Sequence, residues 1–366
     1  MDANGTRKGF SMTATRRQII AGMASMVAAS HLIAPPAFAK SPLRKPSRLR
    51  KGDAVGLIAP ATPSSGTAEI ERAETAIRNL GLIPKRGKHL EDQFGYLAGS
   101  DRSRAADVTA MFADKQVKAI FALRGGWGCA RMLPYIDWNI VRANPKLLIG
   151  YSDITALHMA IAAKAGFATI HGPNATSSWW ENSEGSFQAL AFDGERPTFG
   201  EPPKPASDNS ASDSPDDTTI IPPWPNLTIG VGKARGRLLG GNLTVLNALV
   251  GTQWLPDFEG AILFLEDVDE AEYRIDRMLT QMGQAGLLKK LSGFVFGQCT
   301  SCKARGSESG FKLSTILQQH IAPLGIPAFS GANFGHIRNQ YCIPVGVQAE
   351  IDADAGTLRM LETVVV

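Results

Sequence analysis

Four cysteines among 366 residues are too few to staple a chain of this size. A chain this long buries a sizeable core without disulfides or metal clips. Cys299 and Cys302 form one C-x-x-C, but no second pair exists to complete a zinc knuckle. A redox motif normally opens a helix. Here a Gly/Ser/Lys-rich stretch follows, so a local disulfide is expected. Long apolar runs are missing too. After residue 39 nothing is long enough to span a bilayer, and stable membrane insertion is not expected. Charge is nearly balanced, with Lys+Arg 38 against Asp+Glu 34.

Most of that small surplus sits in the first residues. Arg16-Arg17 precede a moderately apolar stretch from Ile19 to Ile33, and Ala37-Phe38-Ala39 has a small-x-small pattern. Together they read as a twin-arginine export signal over residues 1–39, with a periplasmic destination. A membrane anchor is the weaker reading, since Gly22, Ser25, Ser30 and His31 break the stretch before Pro35-Pro36. Without residues 1–39, Lys+Arg falls to 34 and Asp+Glu to 33, leaving a net charge of +1. No basic stripe interleaved with aromatics remains, so nucleic acid is not an expected partner.

The rest alternates apolar strands with amphipathic helices. Strands are expected at residues 54–58, 117–123 and 147–149, and helices at 67–80, 103–113 and 153–164. Glycines close several of these strands, as a parallel α/β sheet with its site along that edge would require. Residues 195–228 are rich in Pro, Ser and Asp and read as a linker or surface loop. The expected organisation is an N-terminal domain over 47–175, a linker and loop over 176–232, and a C-terminal domain over 233–366. In the latter, strands are expected at 235–239, 261–265 and 293–298, helices at 242–249, 273–285 and near 314–321, and a closing hairpin around residues 352–356.

Chemistry concentrates at strand ends. Ser152, in Gly150-Tyr151-Ser152-Asp153, sits between a buried strand and a helix, where a turn lifts the hydroxyl above the sheet edge. The first helical N–H groups, that of Asp153 above all, then face whatever the hydroxyl attacks. Ser152 as an ordinary helix cap is the competing reading. Arg124-Gly125-Gly126-Trp127-Gly128 ends the preceding strand, where glycines let a backbone approach a substrate. Its order is not that of a dinucleotide loop. Among the histidines, His89 and His320 have no evident partners, and His158 lies on an apolar helix face. His171 and His336 stand level as candidate bases. Glu266 ends an apolar strand, a position where a charge needs a partner. The alternative is a helix-start acid among Glu266, Asp267, Asp269 and Glu270.

These segments together resemble the LD-carboxypeptidase family of serine peptidases. The resemblance is carried by Gly56-Leu57-Ile58-Ala59-Pro60, the Arg124–Gly128 turn, Gly150-Tyr151-Ser152-Asp153-Ile154-Thr155, Gly240-Gly241-Asn242-Leu243, Leu265-Glu266-Asp267-Val268 and Phe334-Gly335-His336. It implies a flavodoxin-like N-terminal domain with a parallel sheet and a smaller C-terminal α/β domain of swivelling β/α/β type. It implies Ser152 as nucleophile, Glu266 as orienting acid and His336 as base, with an oxyanion hole from the N–H groups of Gly126 and Asp153. It also implies a homodimer, no metal and no cofactor. The implied substrate is a murein tetrapeptide, cut before its terminal D-alanine. Arg124 and Trp127 are candidate substrate contacts, Arg124 because a guanidinium suits a planar carboxylate. Two alternatives use the same fold. One is an amidohydrolase of the microcin-immunity type acting on peptidyl-nucleotides, for which Trp179-Trp180 would stack a base. The other is a non-catalytic muropeptide-binding protein.

Overall fold

The structure is a computed structural model that describes residues 1–2, 44–200, 227–302 and 310–366. The export signal read over residues 1–39 and the greater part of the 195–228 segment lie outside the described residues. The chain divides into residues 1–42 and a compact unit of residues 43–366. The strands and helices below all belong to the second.

In chain order the strands are β1 (Ala54–Ile58), β2 (Ile83–Arg86), β3 (Val117–Ala122), β4 (Leu147–Gly150), β5 (Thr169–His171), β6 (Thr198–Phe199) and β7 (Leu227–Gly230). They continue with β8 (Lys233–Asn242), β9 (Ile262–Val268), β10 (Gly293–Thr300), β11 (Ala328–Ser330), β12 (Ile343–Val345), β13 (Gln348–Asp352) and β14 (Thr357–Met360).

They form two sheets, one in each of two α/β domains. The first has the order β12-β5-β4-β3-β1-β2. Every pair in it is parallel except β12 with β5. Strands β2-β1-β3-β4-β5 reproduce the flavodoxin-like order, which reverses between β1 and β3 and opens a crevice there. The second sheet is mixed and eight-stranded, in the order β6-β14-β13-β8-β9-β10-β11-β7. Its parallel centre is β8-β9-β10-β11.

The elements follow from residue pattern. Burial on both faces suits runs such as Leu147-Leu148-Ile149, all inaccessible to solvent. In helix Thr67–Asn79 the buried Ile70, Ala73 and Ile77 recur at helical spacing, while most of the intervening residues are polar. Helix Asp101–Ala113 begins where Ser100 Oγ accepts the Ser103 N–H at 3.0 Å.

Three departures from the expected pattern matter. First, β9 runs on through Glu266 and Asp267 to Val268 instead of stopping at Leu265. Both carboxylates lie in the strand and are buried, because each finds partners there. Second, Ile343–Val345 belongs to the first sheet, where it pairs with Thr169–His171, although in the chain it lies between β11 and β13 of the second sheet. Third, the short β6, from the stretch read as linker and loop, edges the second sheet. No described helix is long and apolar enough to cross a membrane.

Candidate active site

The site is assembled along the C-terminal edge of the first sheet. After β4 the chain turns through Tyr151 and Ser152 into a single tight turn, Ser152–Ile154, and then the helix Thr155–Lys164. Ser152 has φ +63°, which a non-glycine residue adopts only when its surroundings impose it. Those surroundings are visible. The Tyr151 N–H donates to Asn174 Oδ1 at 3.3 Å, and His158 Nε2 bonds the Gly150 carbonyl at 2.8 Å. That bond makes His158 more than the packing residue its apolar helix face suggests. Burial pushes the His158 imidazole down to about 4, so the ring is neutral and donates from Nε2.

The turn after β3 lies against Ser152. A methyl on Gly125 would sit 2.9 Å from Ser152 Cβ and 3.1 Å from its Oγ, so only glycine admits this approach. Gly126, at φ +116°, would drive a Cβ to 1.9 Å from Thr62 Oγ1. The buried Arg104 anchors the same turn, donating to the carbonyls of Gly128 at 2.8 Å and of Pro60. Among the described residues, the N–H groups of Gly126 and Asp153 donate to nothing. The Asp153 carboxylate does not join the chemistry. It is buried and accepts the Cys129 N–H at 2.8 Å, starting the turn Cys129–Met132. Burial raises its proton affinity, and the Cys129 N–H opposes that shift.

Strand β9 and the loop after β11 bring Glu266 and His336 together. Glu266 is fully buried, and its Oε2 lies 2.7 Å from His336 Nδ1. An ionised carboxylate only accepts, so Nδ1 carries the proton and Nε2 is left as acceptor. Gly335, at φ +110°, permits this: a Cβ there would lie 2.8 Å from Glu266 Cβ. Burial lowers the proton affinity of His336, but the charge and hydrogen bond of Glu266, with the charge of Asp267, outweigh it. The net shift is upward from the usual imidazole value. The His336 ring packs on Tyr151, centroids 4.7 Å apart, which sets the imidazole beside the Ser152 turn. Among the described residues, Ser152 Oγ makes no hydrogen bond, so the serine–imidazole contact is open. The two candidate histidines differ in exposure: His171 is wholly buried, while the His336 side chain is 17% exposed.

Asp267 is the residue that sequence reasoning passed over. Its Oδ1 accepts from Asn242 Nδ2 at 3.0 Å, and its Oδ2 accepts from the Thr244 N–H and hydroxyl at 3.0 and 2.8 Å. Burial and the charge of Glu266 lift its carboxyl to about 6. The Asn242 N–H in turn donates to Thr155 Oγ1 at 2.9 Å, across to the helix that follows Ser152. A buried acid next to Glu266 was the available signal, but it reads equally as a helix-start charge.

Residues 55–172 match the LD-carboxypeptidase N-terminal domain, and residues 235–351 match the LD-carboxypeptidase C-terminal domain. The chain belongs to the LD-carboxypeptidase family. The probable murein peptide carboxypeptidase of Bacillus subtilis is 36% identical over 313 residues, covering 84% of this chain and 91% of that one. The microcin C7 self-immunity protein MccF of Escherichia coli is 27% identical over 334 residues, 86% of this chain and 94% of that one. A solved muramoyltetrapeptide carboxypeptidase from Oxalobacter formigenes superposes with a TM-score of 0.71 at 26% identity, covering 84% and 97%.

In this member of the family the two candidate substrate residues flank the glycine turn. Arg124 is partly exposed, with Nη1 3.4 Å from Glu69 Oε1. Trp127 is exposed, its backbone N–H held by Thr62 Oγ1 at 3.3 Å. The tryptophan pair is divided. Trp179 packs into the core against Phe187 and Phe121, whereas Trp180 carries the Arg338 guanidinium 4.6 Å over its ring. The two rings therefore do not make one stacking platform. His89 and His320 do have partners, Asp92 at 2.8 Å and Asp276 at 2.7 Å. Cys299 and Cys302 are joined in a disulfide. Between them Thr300 Oγ1 donates to the His336 carbonyl at 2.7 Å.

Proposed function

We propose that the chain is a serine LD-carboxypeptidase that releases the terminal D-alanine of murein tetrapeptides through Ser152, His336 and Glu266. The observation that carries this reading is the 2.7 Å bond from His336 to a fully buried Glu266, beside a serine held at φ +63°. In the proposed reaction His336 Nε2 removes the Ser152 proton as Oγ attacks the scissile carbonyl. The imidazolium that forms is stabilised by Glu266. The oxyanion is received by the free N–H groups of Gly126 and Asp153. His336 then protonates the leaving nitrogen of D-alanine. Water, deprotonated by the same ring, resolves the acyl-enzyme and restores the serine. The open serine–imidazole contact suits a site whose catalytic bonds tighten on substrate binding. Arg124 is the proposed partner of the D-alanine carboxylate, and its hold on Glu69 would be exchanged for substrate.

Support for the murein substrate comes from the names of the Bacillus subtilis and Oxalobacter formigenes relatives. The test is D-alanine release from murein tetrapeptide by the intact protein and by Ser152→Ala. We expect a loss of at least roughly 10⁴-fold with folding unchanged. Release that survives the substitution overturns the nucleophile. Export by the twin-arginine route, on Arg16-Arg17, and homodimerisation are proposed alongside. Cell fractionation of an Arg16→Lys, Arg17→Lys chain and light scattering are their checks.

A further inference from the structure

Glu266 has two oxygens, and the proposed mechanism uses one. Oε2 is taken by His336. Oε1 is buried with no hydrogen-bond partner among the described residues. Facing it at 3.9 Å is Nε2 of His171, the last residue of β5. Both His171 nitrogens are buried and unpartnered as well. A buried carboxylate oxygen and a buried imidazole that each lack a partner are costly apart and complementary together.

We propose that His171 is a positioning residue for the acid: its Nε2–H closes onto Glu266 Oε1, so the carboxylate is held between two imidazoles, His336 on one oxygen and His171 on the other. The inference rests on the proposed triad and adds a fourth member to it.

The tautomer follows from the surroundings. A neutral imidazole has one N–H. On Nε2 it meets an acceptor. On Nδ1 it would be buried with nothing to bond, and a lone pair would face the carboxylate instead. The ring stays neutral, since burial above all holds its proton affinity well below the usual value. The titratable groups facing it are Tyr151 from the serine turn, His158 from the helix Thr155–Lys164, Glu266 from β9 and His336 from its loop. Packing alone does not account for a histidine. Edge-on contacts to Tyr151 and Phe264, at 6.1 and 5.6 Å, would suit phenylalanine equally. What phenylalanine lacks is the N–H. The location also fits the role. His171 belongs to the sheet that carries Ser152, and Glu266 to the sheet that carries the base. The bond would register one against the other.

The test begins with the unaltered protein, labelled with ¹⁵N-histidine. His171 is expected neutral with its proton on Nε2; a proton on Nδ1 overturns the inference. The second measurement is the pH profile of kcat/KM for D-alanine release in His171→Phe and His171→Gln. Without its second donor the carboxylate holds the neighbouring imidazolium more tightly, so the pair gives up its proton at higher pH. In His171→Phe the acid limb is expected to move up by about one pH unit, the worth of a hydrogen bond to a charged group, with KM little changed. His171→Gln, which can offer an amide N–H near the same place, is expected to restore most of the shift. An acid limb unmoved in folded His171→Phe overturns the inference, as does a glutamine variant no better than phenylalanine. If His171→Phe does not fold, the tautomer decides. The triad fails separately, by D-alanine release that survives His336→Ala.

Discussion

A carboxylate sealed inside a strand is tolerable only when its oxygens are engaged, and Glu266 shows how narrow that engagement is. Gly335 turns the chain at φ +110° so that His336 reaches Glu266, leaving no room for even a methyl group. Gly335→Ala is therefore expected to destabilise the fold by about 2 kcal/mol or more, read by urea denaturation, and to lower kcat/KM by disturbing the imidazole. His158 gives the residue scale a pH dependence. Its folded value of about 4 lies below the ordinary imidazole value of 6.5. The unfolded chain therefore binds a proton first as pH falls. The stability contributed by keeping His158 neutral is fully present above about pH 6.5 and is lost as pH falls toward about 4. His158→Gln keeps a donor for Gly150 without titrating. Relative to it, the unaltered protein should lose about 3 kcal/mol between pH 7 and pH 4, as measured by urea titrations across that range. An unchanged difference would remove His158 from the account. At this scale Ser152 and Glu266 were legible because a hydroxyl in a strand-to-helix turn and an acid after an apolar run both break a local rule. Asp267 breaks the same rule, but its partners, Asn242 and Thr244, are more than twenty residues away, and no local pattern announces them.

At the scale of elements, strands and helices with a strong period were read nearly to their ends. The helix expected at 273–285 is found at Glu272–Gln284, and its face of Ile275, Met278, Leu279 and Met282 is buried. Short strands were missed, since β2, β7 and β11 have only three or four residues and too little pattern to stand out. The end of β10 connects structure to the site. Its disulfide closes a very short loop, and the Thr300 hydroxyl inside that loop holds the His336 carbonyl. A short loop has little chain entropy to remove, so Cys299→Ser with Cys302→Ser is expected to lose no more than about 2 kcal/mol by thermal denaturation. The same variant is expected to lose activity through the base it helps to hold. A loss near 5 kcal/mol would mean that the bond staples the fold at large.

On the scale of the whole molecule, the two domains are not strung in series. Strand β12 returns from the second half of the chain to complete the first sheet, and β6 lends an edge to the second. The Asn242–Thr155 bond ties them again beside Ser152. Residues 43–366 are accordingly expected to unfold in one calorimetric transition, with calorimetric and van't Hoff enthalpies in agreement. Two resolved transitions would show that the domains fold independently. A return of three residues, Ile343–Val345, cannot be told from a loop in the sequence, which is why a boundary drawn near residue 233 looks cleaner there than in space.

That returning strand has one more effect. It forms one edge of the first sheet and is buried there, while β2, at the opposite and exposed edge, contains Pro84. Proline has no N–H to offer a further strand. The sheet that carries Ser152 thus has one edge buried beneath the rest of the chain and, at its exposed edge, a residue unable to template growth, a safeguard against edge-to-edge aggregation.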